Sequence, residues 1–101
     1  MYGTVARMRV KPGMEAKLQE VSERWWRERA PNVKGAMSST VFKSDNDAQE
    51  FLLVAVFDSK ENYEANANDP AQNEWFEQMA ACFEGEPSWT DGEVVFNQHQ
   101  H

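Results

Sequence analysis

The chain is short of several residue types, and each shortage excludes something. Its 101 residues include one cysteine, Cys82, so no internal disulfide can form; that fits a reducing compartment and is read as cytoplasmic. No histidine precedes His99, so the body of the chain offers no imidazole as a haem or metal ligand or as a base near neutral pH. Ten Lys and Arg stand against seventeen Asp and Glu, a net charge of −7. A surface of that sign repels phosphate backbones and anionic lipid, which argues against nucleic acid and membrane as partners. No apolar run approaches the ~20 residues that span a bilayer, and "MYGTVARMRV" enters an alternating pattern rather than a signal peptide's apolar stretch. Gly-rich phosphate loops, a Ser-His-Asp set and clustered metal-ligand spacings are missing, and neither metal nor cofactor is expected. "HQH" at 99–101 reads as a frayed tail beyond a single domain of residues 1–98.

Aromatic residues are plentiful by contrast: four Trp, six Phe and two Tyr. A monomer of this size buries only roughly 60–70% of its unfolded surface. So large an aromatic load points beyond a core, to a subunit interface or a ligand cavity.

Periodicity supplies the elements. In "YGTVARMRV" Tyr2, Thr4, Ala6, Met8 and Val10 alternate with Gly3, Val5, Arg7 and Arg9, which predicts a strand. "KPG" turns the chain, and in "MEAKLQEVSERWWRERA" Met14, Leu18, Val21 and Trp25 repeat at helical spacing until Pro31. "GAMSSTVFKS" is a weaker strand, "DNDAQ" a turn, and "EFLLVAVFD" the strongest strand. Its continuous apolar run calls for burial on both faces, by helices on one and another subunit on the other. Asp58 with Glu61 predicts one helix start, and Asp69 with Pro70 and Gln72 a second, giving a helix from Ala71 to about Glu84. Asp91-Gly92 reads as a turn and "EVVFNQ" as the last strand. The order is β-α-β-β-α-β: an α+β, ferredoxin-like protomer with a four-stranded antiparallel sheet.

"RMRVKPG" entering the first helix, and "FLLVAVFDSKENYEANANDP" leading into a helix broken before a Pro, resemble the antibiotic biosynthesis monooxygenase-like family, from Val5 to Phe96. The resemblance implies a dimeric α+β barrel, a homodimer closed through the open sheet face and the last strand. It also implies a set of functions that differ within one fold. Haem-degrading relatives carry an Asn, a Trp and a His where this chain has Ala6, Asn66 and Phe76, so that chemistry is not expected. Oxygenases of anthrone-like polyketides instead let the substrate supply the electrons, and need aromatic walls, one or two hydrogen-bond donors and sometimes a base.

On that pattern the substrate-binding candidates are Trp26, Tyr63, Asn66, Trp75, Phe76, Met79 and Thr4, with Asn66 and Tyr63 as catalytic candidates. Many relatives have a His where Asn66 stands; an amide donates and accepts but does not titrate. Each candidate has a plainer reading. Trp25, Trp75 and Met79 form a core stripe, and Asn66 and Asn68 close a helix end. Cys82 reads as an inert buried thiol, and Arg7 and Arg9 as interfacial ion pairs with Glu50 or Glu93. The expectation is a cofactor-independent monooxygenase, or a binder of a small aromatic or quinol-type molecule between sheet and helices. The alternative is a non-catalytic dimeric domain with a structural or stress-related role.

Overall fold

Alternation along β1 (Tyr2–Arg9) organises the molecule. In the computed structural model, which describes residues 1–99, β1 lies between β3 (Glu50–Phe57) and β4 (Ser88–Glu93), with β2 (Ala36–Lys43) on the far edge. All three pairings are antiparallel, in the order β2-β3-β1-β4. Thr4, Ala6, Met8 and, just past the strand, Val10 are buried, whereas Val5, Arg7 and Arg9 are exposed. This is the period-two split of a sheet covered on one side.

The cover is α1 (Glu15–Arg24), α2 (Lys60–Ala67) and α3 (Pro70–Ala80). Leu18 and Val21 are the buried residues of α1. Leu18 joins Met8, Val10, Phe51, Cys82 and Phe83 in one apolar cluster, with Met14, Leu53 and Met79 packed against it. Cys82 therefore sits in the core, where burial pushes its thiol pKa up. After α3 the chain returns to the end of β1, the Lys11 N–H donating to the Cys82 carbonyl and the Glu84 N–H to that of Arg9. This is the α+β, ferredoxin-like arrangement anticipated, with the second helix in two pieces. No described helix is long and apolar enough to cross a membrane.

Several boundaries differ from the sequence reading. Regular α-helix stops at Arg24, and a π-turn over Trp25–Arg29 and a 3-10 turn over Ala30–Asn32 carry the chain to Pro31 and beyond. Ser59, not Asp58, caps α2: its hydroxyl accepts from the Asn62 N–H, while the Asp58 carboxylate accepts from the Asn62 side chain. The third helix ends at Ala80 rather than near Glu84. The last strand is Ser88–Glu93, so Asp91-Gly92 lies within a strand, and Val95 and Phe96 beyond it are exposed. Arg9 pairs with Asp47 and Glu84, not with Glu50 or Glu93. Of the "HQH" tail, Gln100 and His101 lie outside the described residues.

Gly3 is opposite Val56 on one side and Gly92 on the other, and a Cβ there would run into the backbone carbonyl of Ala55. Backbone cannot step aside as a side chain does, so Gly3→Ala should destabilise the fold by about 1–3 kcal/mol. Urea denaturation checks this; a change within about 0.5 kcal/mol would mean that β1 and β3 are not packed this closely.

Candidate functional site

One end of the β1 inner row is polar. Thr4 is the buried polar side chain among the described residues, and its hydroxyl donates to the Thr90 carbonyl at 3.3 Å. Asp91 stands opposite Thr4 in the register between β1 and β4. From α2 above, the Tyr63 hydroxyl donates to Asp91 Oδ1 at 2.9 Å. The Tyr63 ring rests against Tyr2 and Phe57, with centroids 5.3 and 5.5 Å away. Burial is the first cause that pushes the Tyr63 phenol up to about 12; the Asp91 carboxylate adds to it and the Thr4 hydroxyl opposes it. Tyr63 is therefore a hydrogen-bond donor at physiological pH and not a base.

Asn66, one turn along α2, is half-buried, and its Oδ1 accepts from Arg29 Nη2 at 3.0 Å. The same nitrogen is 3.3 Å from Asp69 Oδ2. Asp69 also caps α3, its Oδ1 accepting from the Ala71 N–H, with Pro70 at the first helical position. That N–H first, and Arg29 second, hold the Asp69 carboxyl below the usual carboxylate range. Asn68, in contrast, closes the end of α2 through its backbone.

The aromatic candidates divide between neighbours. Phe76 on α3 meets Trp89 on β4 at 5.9 Å between centroids, directly beside the polar end, since Trp89 is opposite Ala6. Trp75 turns instead toward α1, where the Arg24 guanidinium lies 4.9 Å from its ring centroid. Trp26 donates from Nε1 to the Ser39 hydroxyl at 2.7 Å and stacks edge-on with Trp25, whose own Nε1 bonds Gln72. Met79 packs on the apolar core, in line with its plainer reading. The structure thus gathers Thr4, Tyr63 and Phe76 at one end, with Asn66 on the same helix as Tyr63, and sends Trp26, Trp75 and Met79 to other partners.

Two clefts of about 230 and 240 Å³ open elsewhere. One is on the bare sheet face around Val5, Val54 and Val56; the other lies between α1 and the β2–β3 edge, over Leu18, Val41 and Phe51. Neither is lined by Tyr63, Asn66, Trp75 or Phe76. Among the described residues no three His, Cys, Asp or Glu gather as metal ligands would.

Asp91, Trp89 and Arg29 were missed by the sequence reading. The first two were hidden by taking Asp91-Gly92 for a turn, when both lie within the strand Ser88–Glu93. Arg29 gave no local signal, because its partners lie 37 and 40 positions further on, at Asn66 and Asp69.

The raised Tyr63 pKa gives an alkaline signature. The folded state keeps the phenolic proton from the ordinary value of 10.0 up to about 12, so its contribution to stability is complete below pH 10 and lost as pH rises through 12. Tyr63→Phe should flatten the loss of thermal stability in that window; a variant whose alkaline limb matches the parent's would show that the Tyr63 hydroxyl is not held as described.

The family model described as antibiotic biosynthesis monooxygenase matches residues 1–78. No curated protein matches the sequence. Among solved structures, a variant of SnoaB, a cofactor-independent oxygenase from Streptomyces nogalater, is 13% identical, with a TM-score of 0.80 over 98% of this chain and 97% of that one. Rv0793 from Mycobacterium tuberculosis is also 13% identical, with a TM-score of 0.75 over 97% and 98%. A conserved protein from Methanosarcina mazei Go1, again at 13%, gives 0.76 over 90% and 89%. At such identities these likenesses carry the fold alone. The match over residues 1–78 goes further: the chain belongs to the antibiotic biosynthesis monooxygenase family.

Proposed function

We propose that the chain binds a small phenolic or quinol-type aromatic molecule between the sheet and α2–α3, and oxygenates it without a cofactor. The observation that carries this reading is the meeting of half-buried Tyr63 with Asp91 beside Thr4, the buried polar side chain among the described residues on an otherwise apolar inner face, with aromatic rings around them. Family membership and the likeness to a cofactor-independent oxygenase support it.

In this reading Tyr63, protonated at neutral pH, turns its one O–H from Asp91 to an oxygen of the ligand, and the Asn66 amide is a second donor. Asp91 accepts the proton that the ligand gives up. The resulting carbanion passes electrons to dioxygen; a C–O bond forms, the O–O bond then breaks, one oxygen stays as a ring carbonyl and the other leaves as water. The protein holds the anion among apolar walls. Phe76 and Trp89 part to admit the ring, and Trp26, Trp75 and Met79 are outer walls.

The bare sheet face belongs to the same proposal. Val5, Leu52, Val54 and Val56 lie opposite the helices, and Phe42 on β2, 54% exposed, extends the patch. A second copy laid face to face on it satisfies the both-sided burial that the β3 run requires. The contact of Phe76 with Trp89 and the packing of Met79 favour a second reading, a dimer with a closed interior and no catalysis.

Oxygen uptake in the presence of dithranol, an anthrone with free phenols, separates the two. The catalytic reading expects one dioxygen consumed per dithranol, and a rate about 10²-fold or more lower in Asp91→Asn. Uptake no faster than in buffer leaves the non-catalytic dimer. Sedimentation should show a dimer that Val54→Asp separates into monomers; a monomeric parent would end the face-to-face proposal.

A further inference from the structure

We infer that Arg29 is a positioning residue for this site: it engages the Asn66 side-chain oxygen and so turns the amide N–H groups toward a ligand. The inference rests on the ligand-binding reading above.

Arg29 is the most deeply set cation among the described ion pairs. Its side chain is 11% exposed, against 25% for Arg24 and more for the rest. Nη2 serves both Asn66 Oδ1 and Asp69 Oδ2. Its Nε is the one buried side-chain nitrogen or oxygen among the described residues without a hydrogen-bond partner. An unmet buried donor is a cost to the fold. The Asp69 side of the pair is 45% exposed, and ion pairs open to solvent contribute little, so stability alone is a poor reason to keep this one. What a guanidinium provides here is direction.

An asparagine amide can sit either way round, and only its partners decide which end is oxygen. Arg29 has donors and no acceptor, so the Asn66 oxygen must face it. Among the described residues no hydrogen bond engages the Asn66 NH2 group, which retains its donors for a ligand, while its oxygen accepts from Arg29. Asp69 balances the guanidinium charge, so the local field does not select the ligand. The orientation does. The Asn66 amide then presents N–H, and the Tyr63 hydroxyl one turn away on α2 adds O–H once it turns from Asp91, which suits a ligand bearing a carbonyl or phenolate oxygen. An amide turned the other way would present an acceptor and disfavour such a ligand.

The test has two readings on the full chain. In nitrogen-15 spectra the Asn66 side-chain NH2 pair should shift in Arg29→Met, with or without a ligand. Dithranol binding under nitrogen, followed by quenching of tryptophan emission, should weaken about tenfold in Arg29→Met. In an Asn66→Ala background the same change should weaken it less than about twofold, because Arg29 acts through Asn66. A merely structural Arg29 would lower stability equally in both backgrounds and leave no such coupling in affinity. If Arg29→Met does not fold, Arg29→Lys, which keeps the charge near Asp69 but lacks the planar fork, replaces it in both measurements. Losses that add across the two backgrounds overturn the inference, as does an Asn66 signal that Arg29 substitution leaves in place. A parent protein that ignores dithranol while its Asn66 signal still responds would end the functional reading and leave the hold of Arg29 on Asn66 standing.

Discussion

The rest of the structure depends on the burial of one side of β1. Because β1 is internal in the sheet and helices cover one face, Thr4, Ala6, Met8 and Val10 form a single inner row. The row changes character along its length. At the Val10 end it meets Leu18, Phe51, Cys82 and Phe83, a wholly apolar cluster that anchors α1 and the segment after α3. At the Thr4 end it meets Tyr63, Asp91 and the Phe76–Trp89 pair. Apolar burial at one end supplies stability without specific geometry, which frees the other end to hold hydroxyls and a carboxylate in defined hydrogen bonds. Core and candidate site are two halves of one strand.

The outer side of the same sheet carries the complementary constraint. Val5, Val54 and Val56 face away from every helix, and the cleft among them is floored by backbone brought close at Gly3 and Gly92. With a net charge of −7 the molecule resists indiscriminate association. Few of its charges lie on this face, however: Arg7 is at one end, and Arg9 is tied to Asp47 and Glu84. A face-to-face contact would thus bring together mainly valine, leucine and threonine.

What was legible in the sequence follows from how local each signal is. Period two in Tyr2–Arg9 and the apolar run of Glu50–Phe57 specified the two inner strands, because burial writes itself directly into such patterns. The cap at Asp69 with Pro70 was legible for the same reason, both residues acting on their own helix. The edge strand β4 was not. Every residue in it is exposed, so burial left no alternation to read, and Asp-Gly carries a turn signal that pairing to Gly3 overrides. Val94 to Phe96 looked like a strand through composition alone. At the site, Tyr63, Asn66 and Thr4 could be named by type and position, but the partners that define their chemistry come from distant segments: Asp91 for Tyr63, Arg29 for Asn66.

The broken helix shows why such partners matter. A continuous helix from Lys60 onward would satisfy its backbone internally and would need no cap at Asp69. The break costs the intrahelical bonds of one turn, partly restored by the Asp69 carboxylate on the Ala71 N–H. The restart also supplies a carboxylate oxygen, Asp69 Oδ2, that the cap does not use, and this oxygen receives Arg29 from the π-turn after α1. A π-turn is an irregularity that often marks functional sites; here it delivers a guanidinium to a helix junction. One residue thereby performs two tasks with its two oxygens, starting α3 and neutralising the charge that holds Asn66. The two irregularities, one in each helical segment of the sequence, meet in this one contact.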